Sequence, residues 1–96
     1  MTTLQSDGYN GWTNRATWNA SLWINNSEPL YKLVHTISSQ CKSISELADN
    51  IEGFLGILWN DKTPDGENMG MVNWVEIADR WVDDNGLSAD EYFNNL

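Results

Sequence analysis

Hydrophobic positions recur at helical spacing in four successive stretches of this chain, and no segment sustains the period-two alternation of a half-buried strand. The stretch from Gly11 to Asn26 holds three of the six tryptophans and is the one the rest is organised around. Asn14 stands as an N-cap with Thr17 three residues on, which predicts a helix from about Arg15 to Asn25, before the Asn-Asn-Ser break. At the helical angle per residue, Ala16, Ala20, Trp23 and Ile24 share one side while Trp18 and Leu22 fall nearly opposite. A helix apolar on two faces has to be covered on both.

Ser27-Glu28-Pro29 predicts the next start, with Ser27 as cap and the proline in the first turn, where a missing N–H costs nothing. Leu30, Leu33, Val34, Ile37 and Cys41 follow at helical spacing, carrying this helix to about residue 40 or 41. Ser43-Ile44-Ser45-Glu46 is a capping box, and Ile44, Leu47, Ala48, Ile51, Phe54, Leu55 and Leu58 then line one face. Gly53 and Gly56 each weaken that helix by about 1 kcal/mol relative to alanine, so they are expected at a close crossing, against Trp18 or Trp23. Residues 60–70 read as a loop. Asn73-Trp74-Val75-Glu76 offers a second capping box, with Trp74, Ile77, Ala78, Trp81 and Val82 on the apolar half and Gly86 as the stop. Ser88-Ala89-Asp90-Glu91 repeats the cap signal and predicts a short last helix.

The fold class expected is all-α: a small bundle of four main helices (about 15–25, 28–41, 44–59 and 74–85) plus a short C-terminal one. Residues 1–10 are expected to be flexible, and 11–96 to form a single domain. Trp18, Leu22, Trp23, Trp74 and Trp81 are assigned to its core, because aromatics at helical spacing are far more often core than cofactor contacts. Trp12 and Trp59 stand beside loops and are expected to be partly exposed contact anchors.

Charge changes the picture more than composition does. The 96 residues carry a formal net charge of −9, and residues 46–96 hold twelve of the fourteen carboxylates against Lys62 and Arg80 alone. Such a surface repels polyphosphate and anionic membrane and suits a basic protein surface. Cys41, the lone cysteine, cannot form an internal disulfide, and the first eight residues lack a signal-peptide pattern, so a cytoplasmic setting is expected. The Asn-x-Ser sequons at Asn19 and Asn25 are then chance products, and the longest apolar run, 54–59, is too short to cross a bilayer.

No residue set announces catalysis. His35 and Cys41 lie six positions apart on one expected helix and point away from each other, and no zinc spacing, serine triad or phosphate-cradling loop is present. Asp61-Lys62-Thr63-Pro64-Asp65-Gly66 imitates the first half of a calcium loop, but Val72 stands where the bidentate glutamate belongs, so a solvated loop is the expectation. No metal, cofactor or enzymatic activity is expected.

Asn14-x-x-Thr17-Trp18-Asn19-x-x-Leu22-Trp23-Ile24-x-Asn26, with the late Val72-Asn73-Trp74-x-Glu76-Ile77-Ala78, resembles a family of short uncharacterised proteins found in phages and some prokaryotic genomes. The resemblance runs over about residues 9 to 84, and it implies an all-α fold and a phage-type origin while assigning no active site. Together with the acidic second half, it leads to the expectation of a non-catalytic accessory protein that binds a basic host protein, of a restriction or CRISPR complex, by imitating nucleic acid. Glu46, Asp49, Glu52, Glu76, Asp79, Asp83 and Asp84 are the candidate contact residues, on one flank of the bundle. Direct binding of nucleic acid or membrane is not expected. Two other readings stay open: an oligomerising helical module built on exposed apolar residues such as Trp12, Trp59 and Ile57, and a small-ligand bundle with a pocket among the tryptophans.

Overall fold

Four α-helices, α1 (Arg15–Asn26), α2 (Glu28–Ser38), α3 (Ile44–Trp59) and α4 (Trp74–Asn85), make up most of the computed structural model, which describes residues 9–85. A 3-10 turn, Met69–Met71, precedes α4, and no strand longer than an isolated bridge occurs among the described residues. The chain is an all-α domain. The expected C-terminal helix, its Ser88 cap and the Gly86 stop lie outside the described residues.

Each helix gives one apolar stripe to a single cluster. Ala16, Ala20 and Ile24 of α1, Leu30, Val34 and Ile37 of α2, Leu47, Ala48, Ile51 and Leu55 of α3, and Trp74, Ile77, Ala78 and Trp81 of α4 are all buried. A fully buried leucine or isoleucine such as Leu47, Ile51 or Leu55 stabilises the fold by about 1.5–3 kcal/mol. The alanines shorten the reach between helices, and α3 shares its most extensive interface with α4.

The polar residues at the starts of α1 and α4 are tied to one another. Asn14 Oδ1 accepts from both the backbone N–H (2.8 Å) and the hydroxyl (2.7 Å) of Thr17, capping α1. With its proton committed to Asn14, Thr17 Oγ1 accepts the N–H of Asn73 (2.8 Å), and Asn73 Oδ1 accepts the N–H of Glu76 (3.1 Å), capping α4. Glu76 Oε1 then accepts the N–H of Thr13 (3.0 Å), while Asn14 Nδ2 donates to the carbonyl of Met71 (2.9 Å). In an ordinary capping box the glutamate reaches back to its own cap residue. Here each helix closes the other's box. Their later turns meet again around one small cavity, lined by Ile24 and Asn25 of α1 and by Trp81 and Asp84 of α4, so the two helices run the same way.

The outer face of α1 is covered by connecting segments. Tyr9 and Trp12 exchange backbone hydrogen bonds around Asn10 and Gly11, both with positive φ, as a type I′ turn requires. Tyr9 meets Trp18 edge-on with ring centroids 5.0 Å apart. The loop 61–68 covers the rest: Thr63 is buried, its hydroxyl donates to Asn19 Oδ1 (2.6 Å), and Arg15 pairs with Glu67 (3.0 Å).

Several expectations are corrected. Trp18 and Leu22 are half-buried rather than part of the buried cluster, Trp18 lying under Tyr9 of a turn rather than under another helix; Trp23 is half-buried against the cluster's edge. The second helix ends at Ser38, since the hydroxyls of Ser38 and Ser39 donate back to the carbonyls of His35 and Thr36 while Gln40 and Cys41 make tighter i to i−3 backbone bonds. Ser27 caps α2 without a side-chain hydrogen bond. Glu46 reaches back one residue further than expected, to the N–H of Lys42 (3.0 Å). Gly53 and Gly56 mark no helix crossing: a Cβ at either would meet open space.

Thr17→Val keeps the shape of the side chain but leaves the Asn73 N–H without its acceptor, an expected loss of about 1–3 kcal/mol. For a domain of this size each kcal/mol lowers Tm by about 4–8 °C, read by thermal denaturation. Thr17→Ser should recover most of the loss, and an unchanged Tm in Thr17→Val would contradict the shared cap.

Candidate functional site

The carboxylates singled out from the sequence divide into two groups in the structure. Glu76 is committed to the fold, accepting the Thr13 N–H and pairing with Arg80 (3.3 Å), and it leaves the set of free contact groups. Glu46 is exposed, although one of its oxygens takes the Lys42 N–H. Asp49 and Glu52 on α3, and Asp79, Asp83 and Asp84 on α4, are exposed and make no ion pair or hydrogen bond among the described residues.

α3 and α4 pack on each other through their apolar stripes, and on each helix these carboxylates stand off the stripe. Glu46 stands beside a depression between α2 and α3, Glu52 beside one between α3 and the start of α4, and Asp84 beside the α1–α4 cavity. Asp79 and Asp83 point opposite the buried stripe of α4. Glu46, Glu52 and Asp84 thus border three different depressions, while Asp79 and Asp83 face away from the core.

Three of the five cations in the sequence pair with other carboxylates. Arg15 pairs with Glu67 on the α1 side, and Lys32 pairs with Glu28 within α2 (3.4 Å). Arg80 pairs with Glu76, donates to the carbonyl of Gly11, and lies over the ring of Trp12 at 4.1 Å from its centroid. Trp12 is thus clamped under a guanidinium as well as half-buried against the core, where Trp59 is also half-buried.

Trp74 and Trp81 belong to the core. Trp81 lies against Tyr31 (centroids 4.8 Å apart) and edge-on to His35 (6.2 Å), and its indole N–H is buried without a partner among the described residues. The cavity between α1 and α4 that Trp81 lines with Trp12 and Ser21 holds about 30 Å³, an order of magnitude below the ~300 Å³ at which small-molecule sites begin.

His35 is exposed on α2, and Cys41 is buried beyond its end, taking a weak hydrogen bond from the Asn50 amide (3.7 Å). Burial, and next the nearby Glu46 charge, push the Cys41 thiol up from its ordinary pKa, away from thiolate chemistry. No group of three or more metal-ligating His, Cys, Asp or Glu side chains occurs among the described residues.

Asp65, in the calcium-like stretch, has a structural partner set that sequence reasoning missed. Its Oδ2 accepts from the Asn19 amide (2.8 Å) and the Trp23 indole N–H (2.9 Å), fastening the loop to α1. Those two hydrogen bonds, the Asn19 bond first, hold its carboxyl below the ordinary aspartate value. Trp23 and Asn19 lie four residues apart and so share a helix face, which is the one signal in the sequence that a single acceptor could serve both.

A carboxyl whose pKa is lower in the folded than in the unfolded chain stabilises the fold fully above the unfolded value of about 3.9, and this contribution disappears as pH falls through the folded value. The Tm advantage of the wild-type chain over Asp65→Asn should therefore be largest above about pH 5 and shrink toward about pH 2. A gap that stays constant across that range would contradict the assignment.

A family model matches residues 5–92, nearly the whole chain, with its description giving a family of unknown function. No curated protein and no solved structure matches the chain. The residues 14–26 and 72–78 that suggested an uncharacterised family fall within the matched region, and the chain belongs to the family of unknown function DUF7249.

Proposed function

We propose that this chain is a non-catalytic binding protein whose acidic α3–α4 face engages a basic surface on another protein, in the manner of nucleic acid. The observation that carries the reading is the set of five exposed carboxylates, Asp49, Glu52, Asp79, Asp83 and Asp84, without ion pairs among the described residues while Arg15, Lys32 and Arg80 are spent on other partners. Along α3 the carboxylates of Glu46, Asp49 and Glu52 recur every ~4.5 Å of helix axis.

The partner class that fits is a nucleic-acid-handling complex of a host defence system, restriction or CRISPR, whose cationic groove normally holds DNA or RNA. This choice draws on the phage association of the family the sequence resembles, and it places the protein in the host cytoplasm. Aromatic stacking of bases is not part of the reading, since Trp74 and Trp81 are buried and Trp12 lies under Arg80.

Electrostatic attraction of this kind steers association and is screened by salt. Affinity for a purified restriction or CRISPR effector complex should fall by more than about tenfold between ~0.1 M and ~1 M salt, as the screening length drops from ~10 Å to ~3 Å. Asp79→Lys combined with Asp83→Lys should abolish binding while leaving the circular-dichroism spectrum unchanged. Salt-independent binding, or binding that survives the double substitution, would contradict the electrostatic mechanism.

A further inference from the structure

The C-terminal half of α3 turns apolar side chains to solvent. Ile57 is 82% exposed, Leu58 58% and Phe54 48%, all within two turns of one helix. Scattered exposed hydrophobics are ordinary on protein surfaces, but a contiguous group is the mark of a contact surface. Here the group is contiguous and shaped. Gly53 has open space where a side chain would stand, and it lies with Ile57 between two shallow depressions. One, of about 190 Å³, is bounded by Phe54 and Asp49; the other, of about 320 Å³, is bounded by Trp74 and Glu52.

We infer that this face, the furrow at Gly53 with Ile57, Phe54 and Leu58 around it, is the docking site for an amphipathic helix of the partner protein, apolar on one side and lysine- or arginine-bearing on its flanks. The inference deepens the proposed function by giving the acidic face its apolar centre, and it rests on that reading. Charge complementarity selects the occupant. Each depression has on its rim a carboxylate unpaired among the described residues, Asp49 on one and Glu52 on the other, and no described lysine or arginine borders either. A helix laid in the furrow would bury its apolar residues against Ile57 and Phe54 and bring flanking cations to both rims. A second copy of this chain fits poorly. It would set α3 against α3, carboxylates against carboxylates, between molecules that each carry a formal charge of −9. The glycine also has a cost, since in a helix interior with nothing overhead it weakens α3 relative to alanine and gives no packing in return.

A synthetic amphipathic helix of about 18 residues, leucine on one face and lysine on the other, serves as the probe. Titrated into the ¹⁵N-labelled chain, it should shift the amide resonances of Gly53, Phe54, Gly56, Ile57 and Leu58 first. A version with glutamate in place of lysine should not bind. Ile57→Asp, at a position exposed enough to leave the fold intact, should weaken the lysine probe by at least about tenfold, and Gly53→Leu, which fills the furrow, should do the same. Retained affinity in both variants with shifts confined to the Asp79 and Asp83 side of α4 would overturn the docking site while leaving the acidic-face reading standing. No binding of the lysine probe at all would overturn both. Equal binding of the glutamate probe, or a concentration-dependent dimer in sedimentation that Ile57→Asp dissolves, would overturn the basic helix as occupant.

Discussion

The shared hydrogen bond from the Asn73 backbone to the Thr17 hydroxyl is the constraint on which the arrangement of this bundle depends. Asn14 takes the hydroxyl proton, and a lone pair of Thr17 Oγ1 facing the start of α4 accepts the Asn73 N–H. Two helix N-termini, each with unpaired backbone donors, are thereby satisfied in one place. Glu76 completes the circuit by turning away from its own helix to the Thr13 N–H. Residues far apart in sequence become one local structure, and α1 and α4 are held side by side and in the same direction. The surface of α4 that carries Asp79, Asp83 and Asp84 is oriented by this junction.

A second polar junction does for the outer side of α1 what the first does for its N-terminus. Asn19 and Trp23 present donors that Asp65 accepts, and the Thr63 hydroxyl completes the amide of Asn19. The loop from residue 61 to 68 becomes a lid over a helix that would otherwise expose tryptophan on two faces. With the loop drawn to α1 and Arg80 drawn to Trp12, Arg15 and Arg80 among the cations, and Asp65, Glu67 and Glu76 among the carboxylates, serve the α1 side.

The helices and most of the core were legible from periodicity because burial in a bundle imposes a repeat on the sequence: Leu47, Ile51 and Leu55, or Trp74, Ile77 and Trp81, have no other reading. The caps were legible singly, since Asn14 with Thr17, Ser43 with Glu46 and Asn73 with Glu76 follow a local rule. Their interlocking was not, because which donor an acceptor meets is decided by tertiary approach rather than by spacing. The same limit explains Glu76, whose type and position placed it with the exposed acids although packing gave it Thr13 and Arg80. It explains Gly53 and Gly56 as well: a small residue at helical spacing states that there is room, and only the fold states whether a neighbour or solvent fills it. For the candidate site, charge asymmetry and an exposed Ile57 were visible in the sequence, whereas the exposure of Phe54 and Leu58, which periodicity set on the apolar face, depends on where α3 outruns its cover.

What the two halves of the structure have in common is a division of labour among polar residues, with some spent on internal junctions and others left for an outside partner. The most direct test is a double-mutant cycle in chemical denaturation, Thr17→Val and Glu76→Ala, each removing one tie across the junction, separately and together. Ties that belong to one junction predict that the two losses are coupled, by about 0.5–3 kcal/mol, the range for side chains in one hydrogen-bond network. Losses that add within about 0.3–0.5 kcal/mol, as at independent sites, would mean two separate ties and contradict the junction.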